Sequence, residues 1–448
     1  MTHFDLFIIG AGPGGYVAAL EAAKLGKTVA VAERREVGGT CLNRGCIPTK
    51  ALLRAARTYR LATHSQELGI HADGASCDTA AMYRRTREVT DSLRGGIEAL
   101  FKRGKVELLR GTARVEGPGR VSVDGGEYTA DRILIAAGSR PARPPIPGLD
   151  LPGVVTSDEL LAGRGADARR LVIIGGGVIG VEFAQVFSDL GREITILEAL
   201  PRILNNMDRE ISQNLTMILK KRGVSVHTGA GVSRIEADEG GLTCFYTEKG
   251  QETQVFADCV LVCTGRKPET EQLFAPGAEV PSERGFLRVN SDFETGLSGV
   301  YAVGDVVLGG IQLAHAAENQ AKNAVRAMFG APRLKDLSLI PACVFTDPEI
   351  AAVGITADEA KAADREVIVR KSLTSANGKS VVEGAERGFA KLVFDRASGV
   401  LVGAQLMCPH AAEMIGGLTA AIVGGLTEAQ IARTVFPHPT VSEILSLD

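Results

Sequence analysis

Three features are scarce in this sequence, and each shortage excludes a class of protein. Lys and Arg number 50 against 53 Asp and Glu, a net charge of −3, so we expect no electrostatic surface for nucleic acid or for an anionic membrane. Cysteines number 8 in 448 residues, too few for the disulfide framework of a secreted domain. Glu21 and Glu182 interrupt the two best apolar runs before they reach the roughly 18 residues of a membrane span. The expectation is a cytoplasmic protein without nucleic-acid or membrane partners.

Targeting and metal-binding signals are scarce as well. The apolar stretch from Leu6 to Leu20 has the length of a signal segment, but Asp5 precedes it and no Lys or Arg does, so we expect no secretory leader. Six cysteines show no metal-ligand spacing, and we therefore expect no metal. We expect these six to be reduced and mostly buried: Cys77, Cys244, Cys259, Cys263, Cys343 and Cys408.

Glycine, by contrast, is abundant. It contributes 53 of 448 residues, above the usual share of about 7%, and it lacks the strict period of collagen. This excess indicates that the backbone approaches something closely at several places, and cofactor phosphates are the obvious candidate. The length of the chain predicts about three domains.

A glycine-rich turn follows the first predicted strand. Residues 5–10 (DLFIIG) predict a strand, Gly10, Gly12 and Gly15 form the pattern G-x-G-x-x-G, and helical apolar spacing follows. The next predicted strand ends in Glu33, 23 positions after Gly10. Such a turn lets a pyrophosphate approach the backbone at a helix N-terminus, and the acidic residue is placed to bond a ribose hydroxyl.

The same pattern occurs a second time. Gly175, Gly177 and Gly180 repeat the glycines after a predicted strand, and the following strand ends in Glu198, again 23 positions beyond the first glycine. One copy would be weak evidence because glycine-rich turns are common, whereas two copies in matching register predict two Rossmann-like domains and two dinucleotides. A Glu at the end of each second strand favours NAD over NADP, although Arg202 could soften this preference.

Two cysteines lie between the first glycine turn and the next predicted helix. Cys41 and Cys46 are five residues apart, a rise of about 7.5 Å on a regular helix and more than the roughly 4.4–6.8 Å between the Cα atoms of a disulfide. A bridge therefore needs a distorted first turn, which Gly45 and Pro48 permit. A helix start also stabilises a thiolate. The pair is either a redox-active disulfide or two reduced structural cysteines, and the neighbouring dinucleotide pattern favours the first.

The segment 38–50, GGTCLNRGCIPTK, closely resembles the active-site stretch of the pyridine nucleotide-disulfide oxidoreductases, and among them the dihydrolipoamide dehydrogenases more than the glutathione or mercuric reductases. Further matching segments make the resemblance extend over essentially the whole chain: YAVGD at 301–305, Gly-Arg-x-Pro at 265–268, LAHA at 313–316, and His438-Pro439-Thr440 with Glu443. The resemblance implies an α/β fold with two Rossmann-like dinucleotide-binding domains and a C-terminal α+β dimerisation domain. It also implies FAD at the first glycine turn and NAD at the second.

The resemblance implies a role for each residue that matches a family motif. Glu33 would bind the FAD ribose, the backbone near Ala113 the adenine, and Asp305 the ribityl chain. Lys50 would pair with Glu182 beside the flavin, because a carboxylate buried in an apolar helix needs a cation; a solvated Glu182 is the alternative. The implied FAD contacts are Gly10, Gly12, Gly15, Glu33, Gly39, Thr40, Lys50, Ala113, Gly138, Asp305, Ala314 and His315, and the implied NAD contacts are Gly175, Gly177, Gly180, Glu182, Glu198 and Gly265.

A C-terminal histidine completes the implied catalytic set of Cys41, Cys46, His438 and Glu443. A carboxylate bonded to one ring nitrogen of His438 sets the tautomer and lets the other nitrogen carry a proton. In the family this pair acts on the cysteines of the second subunit, so the resemblance implies a homodimer.

The domain limits also follow from the resemblance. We expect residues 1–157 to form the FAD-binding domain, with a helical insert at about 50–102, and residues 158–266 to form the NAD-binding domain. Residues 267–337 would be a central segment that completes the FAD domain, and residues 338–448 the dimerisation domain. In this last part, segments 350–353 and 391–394 predict strands, and segments 411–423 and 428–433 predict helices.

The implied function is oxidation of protein-bound dihydrolipoamide by NAD⁺, through FAD and the pair Cys41 and Cys46. The partner would be a lipoyl-bearing protein of a 2-oxoacid dehydrogenase or glycine cleavage complex. The alternative enzyme is an NADH-dependent reductase of another disulfide. That substrate would be the disulfide of a low-molecular-weight thiol, or a disulfide like the one that glutathione reductase reduces. A docking subunit of an acyl-transfer complex and a flavin-binding redox sensor are alternatives of other classes.

Three departures from the family pattern affect the substrate more than the redox residues. Phe436 stands where dihydrolipoamide dehydrogenases often carry an additional histidine. Ala136-Ala137-Gly138 replaces an Ala-Thr-Gly motif, and the sequence stops five residues after Glu443.

Overall fold

The computed structural model describes residues 1–385 and 387–447. The chain begins with a sheet and the helices that cover it. The strands of this first part are β1 Thr2–Ile9, β2 Val29–Glu33, β3 Glu107–Arg110, β4 Ala113–Gly117, β5 Arg120–Val123, β6 Gly126–Ile135 and β7 Ser139–Pro141. Its helices are α1 Pro13–Lys24, α2 Gly39–Arg44, α3 Cys46–Thr63 and α4 Thr79–Gly104, with a 3₁₀ helix at Ser65–Leu68.

The first sheet has the order β3-β2-β1-β6-β5-β4, with β1, β2, β3 and β6 parallel. β2 is buried along its whole length, as expected for a parallel strand that helices cover on both faces. The parallel order places the carboxyl ends of β1 and β2 side by side, with Ile9 opposite Ala32. The first glycine turn and Glu33 therefore lie at one edge of the sheet.

A second domain repeats this arrangement. Its elements are β8 Val154–Thr156, α5 Ser157–Leu161, β9 Arg170–Ile174, α6 Val178–Asp189, β10 Glu193–Glu198, α7 Arg209–Lys221, β11 Ser225–Thr228, β12 Gly231–Asp238, β13 Gly241–Glu248, β14 Gln251–Ala257 and β15 Cys259–Val262. A parallel sheet has the order β11-β10-β9-β15-β8, and β12-β13-β14 form a separate antiparallel sheet.

The chain then returns to the first sheet. The elements of this return are β16 Arg266–Pro268, β17 Ser282–Glu283, β18 Phe286–Leu287, β19 Val300–Ala302 and α8 Ala314–Met328, with a 3₁₀ helix at Gly304–Val306. β16 pairs with β7, and β19 joins β6 in parallel. Helix α8 packs on α1, where Arg326 and Glu21 form a partly buried ion pair at 3.0 Å. Residues near 300 therefore contribute to the first domain.

The C-terminal part is an antiparallel sheet with helices. Its elements are β20 Ala342–Val344, β21 Ile350–Gly354, α9 Ala357–Ala362, β22 Val367–Leu373, α10 Gly378–Val382, β23 Phe389–Asp395, β24 Leu401–Met407, α11 Ala411–Val423 and α12 Glu428–Ala432, with 3₁₀ helices at Thr374–Ala376 and Val441–Leu445. The strand order is β20-β21-β24-β23-β22. Lys391 of β23 bonds Asp208 at 2.8 Å and thereby connects this sheet to the second domain.

The predicted fold class is confirmed: two Rossmann-like α/β domains precede an α+β domain. The two strands and two helices predicted in the C-terminal part are β21, β23, α11 and α12. Helices α3 and α4 together run from Cys46 to Gly104. The domain limits themselves stay predictions.

Two observations concern the features that the sequence lacks. No helix within residues 1–385 and 387–447 is both long and apolar enough to cross a membrane, and the location of the protein in the cell stays a prediction. All eight cysteines are free thiols. Of the six expected to be mostly buried, Cys244, Cys259 and Cys408 are buried, whereas Cys77, Cys263 and Cys343 are only partly so.

Candidate active site

The first glycine turn connects β1 to α1 and leaves no room for side chains. Gly10 has a φ of +99°, and a Cβ atom there would lie 2.4 Å from the carbonyl oxygen of Ala136 on the neighbouring strand segment. A Cβ atom on Gly15 would lie 1.8 Å from the carbonyl oxygen of Gly10. Helix α1 therefore packs directly on the turn that precedes it.

The second glycine turn has the same geometry between β9 and α6. Gly175 has a φ of +110°, and its Cβ atom would lie 2.4 Å from the carbonyl oxygen of Cys263. A Cβ atom on Gly180 would lie 2.0 Å from the carbonyl oxygen of Gly175. The two turns are thus structural copies of each other, as their spacing in the sequence predicts.

The middle glycine of each turn faces open space instead. Gly12 and Gly177 are the N-cap residues of α1 and α6, and neither helix has a side chain that caps its first N–H groups. A Cβ atom on Gly177 would have no neighbour within 4 Å, and one on Gly12 would meet only the Cα atom of Gly39, at 3.7 Å. Each helix N-terminus therefore offers unbonded donors and space for a phosphate group, which fits a dinucleotide at both positions.

Glu33 and Glu198 occupy equivalent positions at the ends of β2 and β10. Each carboxylate accepts one N–H from its glycine turn and another two residues further along the chain. The donors are Ala11 and Arg35, both at 2.8 Å, for Glu33, and Gly176 at 2.6 Å and Leu200 at 2.7 Å for Glu198. Each carboxylate oxygen keeps a second lone pair for a ribose hydroxyl.

Arg202 does not point its charge at Glu198. Its guanidinium donates to the side-chain oxygen of Asn205 at 3.2 Å and to the main-chain oxygen of the same residue at 2.9 Å. The arrangement leaves the carboxylate of Glu198 as the charged group at the end of β10, which disfavours a 2′-phosphate.

Lys50 and Glu182 form an ion pair between the first two domains. The Nζ atom of Lys50 donates to both carboxylate oxygens of Glu182, at 3.0 and 2.8 Å. Glu182 is only 3% exposed, so the solvated alternative is wrong for this residue. The N–H of Phe345 donates a third bond at 3.0 Å, and the Phe345 ring lies 4.5 Å from Nζ. A buried carboxylate is thus compensated by a cation and a main-chain donor.

The two cysteines lie on either side of a break between helices. Cys41 belongs to α2 and Cys46 begins α3, with Gly45 between them in a non-helical conformation, φ −150° and ψ −111°. A Cβ atom on Gly45 would lie 3.0 Å from the carbonyl oxygen of Thr40. The sequence suggests one distorted helical turn, whereas the structure has two separate helices that meet at Gly45.

The environment of the two thiols makes them unequal. The Cys41 thiol donates a hydrogen bond to Cys46, and this bond, reinforced by the ammonium group of Lys50, lowers the pKa of Cys46 to about 7 although burial opposes the change. The same bond, together with burial, raises the pKa of Cys41. The opposite directions of the two shifts make Cys46 the more readily deprotonated thiol of the pair.

The start of α2 touches the first glycine turn. Gly39 has a φ of +59°, and its Cβ atom would lie 2.5 Å from the Cα atom of Gly12. Gly39 and Thr40 form the first turn of α2, so the structure brings these two predicted contacts close to the space that Gly12 leaves open. The dithiol and the first dinucleotide position are adjacent.

Asp305 is bonded by a serine that the sequence reasoning did not identify. The hydroxyl of Ser139 donates to Asp305 at 2.5 Å, and Arg266 donates to the hydroxyl and to the carbonyl oxygen of Ser139, both at 2.7 Å. Ser139 directly follows Gly138, and Arg266 directly follows Gly265. The predicted glycines thus flank an Arg-Ser-Asp chain at the pairing of β7 with β16.

Three predicted FAD contacts are held by their backbone surroundings. Ala113 begins β4 near Glu33, whose carbonyl oxygen accepts the N–H of Gly111 at 3.0 Å. Ala314 begins α8. The ring of His315 bonds the carbonyl oxygen of Pro341 at 2.7 Å.

His438 and Glu443 form a pair on the C-terminal loop. Nδ1 of His438 lies 2.9 Å from an oxygen of Glu443, and the His438 side chain is 80% exposed. The N–H of Thr440 is the first cause of the lowered pKa of Glu443, and the bond to His438 is the second. No hydrogen bond within the described residues of one chain connects this pair to Cys41 or Cys46.

Two further side chains near the thiols were missed. The hydroxyl of Tyr16 donates to Glu318 at 3.2 Å, and burial followed by the charge of Glu318 raises the pKa of Tyr16. Tyr16 directly follows Gly15, and Glu318 lies three positions beyond His315, but only the packing of α8 on α1 brings them together. Across residues 1–385 and 387–447, no group of three His, Cys, Asp or Glu side chains is placed to hold a metal ion.

Comparison with known proteins gives the following similarities. Residues 4–321 match the family described as pyridine nucleotide-disulphide oxidoreductase, and residues 340–448 match the dimerisation domain of that family. Dihydrolipoyl dehydrogenases of Bacillus subtilis and Geobacillus stearothermophilus are 37% and 38% identical over 462 and 450 residues, which cover 99% and 98% of this chain and 97% and 94% of theirs. The solved structure of the HOCl-induced flavoprotein disulfide reductase RclA from Escherichia coli has a TM-score of 0.88 at 30% identity, covering 98% of both chains.

Proposed function

The chain belongs to the pyridine nucleotide-disulphide oxidoreductase family, and from this premise we propose that it oxidises protein-bound dihydrolipoamide with NAD⁺ through Cys41 and Cys46. Membership confirms the resemblance of the sequence motifs and confirms an enzyme, a flavoprotein disulfide oxidoreductase that uses FAD and NAD(H). The observation that carries the proposal is the pair of partly buried thiols where α2 meets α3, beside Lys50 and the first glycine turn.

The residues that would hold the cofactors follow from the two glycine turns. FAD would bind at the N-terminus of α1, with Glu33 for its ribose and with Asp305 and Lys50 nearer the dithiol. NAD would bind at the N-terminus of α6, with Glu198 for its ribose. Bound FAD supplies two-electron transfer between a dithiol and a nicotinamide, which no side chain of the site can perform.

The thiol chemistry belongs to the chain itself. In the oxidised enzyme a substrate thiolate attacks Cys41, so that a mixed disulfide forms and Cys46 leaves as a thiolate. The second substrate thiol then attacks the substrate sulfur of the mixed disulfide, and Cys41 is released. The substrate has lost two electrons and two protons, and the cysteine pair has gained the two electrons. The lowered pKa of Cys46 makes it the better leaving group.

His438 and Glu443 would move the protons. The ring nitrogen of His438 that does not face Glu443 is free to accept a proton from a substrate thiol. Because the pair is not bonded to the cysteines of its own chain, we propose that it acts on a second copy in a homodimer, which the dimerisation domain at residues 340–448 supports. The carrier would be a lipoyl-bearing protein of a 2-oxoacid dehydrogenase or glycine cleavage complex.

One observation favours a second candidate, an NADH-dependent reductase of another disulfide. Phe436 packs against the apolar core of the C-terminal domain, so it presents no imidazole where dihydrolipoamide dehydrogenases often have one. The structure of RclA, a flavoprotein disulfide reductase, is also similar over 98% of this chain. The identity of the disulfide is therefore what the experiment must decide.

Steady-state kinetics of the purified holoenzyme distinguish the two candidates. We expect kcat/KM for dihydrolipoamide with NAD⁺ to exceed that for glutathione disulfide with NADH by at least about 100-fold, roughly 3 kcal/mol of transition-state binding. Cys46→Ser should abolish both reactions while the FAD remains bound, and Cys244→Ser, at a buried cysteine far from the motif in sequence, is the matched control. Faster reduction of another disulfide than turnover of lipoamide would refute the proposal.

A further inference from the structure

The segment that carries His438 and Glu443 is hydrogen-bonded to a buried asparagine from a different part of the chain. Asn377 lies between the 3₁₀ helix Thr374–Ala376 and α10 and is 6% exposed. Its side-chain nitrogen donates to the carbonyl oxygen of Thr440 at 3.0 Å. The two residues are 63 positions apart, so this bond is tertiary rather than part of a local turn.

Thr440 is also the residue that holds Glu443. Its N–H donates to one carboxylate oxygen of Glu443 at 2.8 Å, while the other oxygen receives Nδ1 of His438 at 2.9 Å. The hydroxyl of Thr440 donates to the carbonyl oxygen of Pro437 at 2.7 Å. The hydrogen bonds of Thr440 therefore connect Asn377 to Glu443 and to Pro437, the residue before His438.

The pair itself cannot maintain this geometry. The side chains of His438 and Glu443 are 80% and 28% exposed, and exposed ion pairs fix an orientation only weakly. A buried amide that bonds the main chain is a firmer anchor, because breaking the bond would leave two polar groups unpaired. The position of the ring therefore depends on the backbone of Thr440.

We propose that Asn377 is a positioning residue for the proton-transfer pair His438 and Glu443, acting through Thr440. This inference rests on the proposed role of that pair, but it does not depend on which disulfide is the substrate. Asn377 does not touch the reacting atoms. Through Thr440, Asn377 fixes where Glu443 bonds the imidazole of His438. It thereby fixes the direction of the ring nitrogen that does not face Glu443.

Asn377 also caps helix α10, and this role can be tested separately from its bond to Thr440. Its side-chain oxygen caps α10 by accepting the N–H of Ser380 at 2.8 Å and the hydroxyl of Ser380 at 2.7 Å. Asn377→Ser keeps an N-cap oxygen but removes the long amide donor, since Ser and Asn are comparable caps. Ser380→Ala removes one bond to the cap and leaves the bond to Thr440 intact, so it is the matched control.

The test compares two half-reactions of the holoenzyme. We expect Asn377→Ser to lower kcat for dihydrolipoamide oxidation at least about tenfold, because a misplaced base loses catalytic efficiency. Reduction of the bound flavin by NADH in stopped-flow measurements should stay within about twofold of wild type, since it needs no proton from His438. Ser380→Ala should leave both rates unchanged.

A pH profile gives the second readout. The N–H of Thr440 and, second, the bond to His438 lower the pKa of the Glu443 carboxyl. Loosening Thr440 disturbs both contacts of Glu443, so the acid limb of the rate, where the base becomes protonated, should shift in Asn377→Ser and stay in place in Ser380→Ala. Alkylation of Cys41 by iodoacetamide in the NADH-reduced enzyme, separated from alkylation of Cys46 by peptide mapping, measures the same limb without any disulfide substrate.

The outcomes are distinct. An unshifted acid limb with normal turnover in Asn377→Ser, or an equal loss in Ser380→Ala, would overturn the role of Asn377. If Asn377→Ser fails to fold, Asn377→Asp keeps both the cap and the size of the side chain while removing the donor, and the same two criteria apply. If the wild-type enzyme does not use dihydrolipoamide, the proposed function is refuted. The alkylation profile still tests the role of Asn377 in that case.

Discussion

Removal of the charge on Lys50 tests whether the ion pair with Glu182 is required by burial. Lys50→Met leaves a carboxylate that is 3% exposed with only the N–H of Phe345, at 3.0 Å, as a donor. Removing one partner of a buried pair costs about 3–5 kcal/mol. Since the Lys50 side chain is itself 31% exposed, water can reach part of the site, and we expect a loss near the lower value, about 3 kcal/mol.

The reverse change should be milder. Glu182→Gln removes the buried charge, and the remaining ammonium group of Lys50 can turn to solvent, so we expect a loss of about 1–2 kcal/mol. In the double variant Lys50→Met with Glu182→Gln no charge is left unpaired. We therefore expect the double variant to be more stable than Lys50→Met alone, a coupling of about 2 kcal/mol.

Urea denaturation of the FAD-saturated protein at one fixed protein concentration measures these differences. Lys24→Met is the control, because Lys24 is 75% exposed and 4.0 Å from Glu21, and such a pair contributes at most about 0.5 kcal/mol. If Lys50→Met costs no more than this control, or if the double variant is the least stable of the three, the reasoning from burial is refuted.

Three further outcomes follow from the site. Alkylation of the reduced protein should increase as the pH rises through about 7, because Cys46 then becomes a thiolate, and Cys41→Ala should move this increase to higher pH since it removes the donated hydrogen bond. Gly177→Ala should raise the Kd for NADH at least about tenfold with little loss of stability, because its Cβ atom meets no protein atom within 4 Å but fills the phosphate space; titration against Gly95→Ala, in open space on α4, checks this. The ratio of kcat/KM for NADH to that for NADPH should exceed about ten in the wild type and fall in Glu198→Ala, because the carboxylate repels a 2′-phosphate.

The parts of the site that are local in sequence could be predicted. Gly10, Gly15 and Glu33 belong to one strand-turn-helix-strand unit, and the physical need for each is visible in the spacing. The repetition at Gly175 and Glu198 is what predicts two Rossmann-like domains from the sequence. The pair His438 and Glu443 was found through the resemblance to the family, and the structure brings the two side chains within 2.9 Å.

The contacts that the sequence could not predict join distant segments. Ser139 and Asp305 are 166 positions apart, and Tyr16 and Glu318 are 302 apart. Ser and Glu residues are common, so nothing in the pattern singles these out before the strands β6 and β19 pair. The break at Gly45 was also missed, because spacing alone cannot distinguish one distorted turn from two helices. The roles assigned to individual residues stay predictions.

Three well-separated stretches of the polypeptide converge on Glu182: helix α6 carries the carboxylate, α3 supplies Lys50, and the main chain after β20 supplies the N–H of Phe345. The ribosome makes these stretches at very different times. Both glycine turns are therefore synthesised well before Phe345, the residue that supplies the last donor to this carboxylate. A product that ends before Phe345 lacks the main-chain donor of the third hydrogen bond to the buried carboxylate.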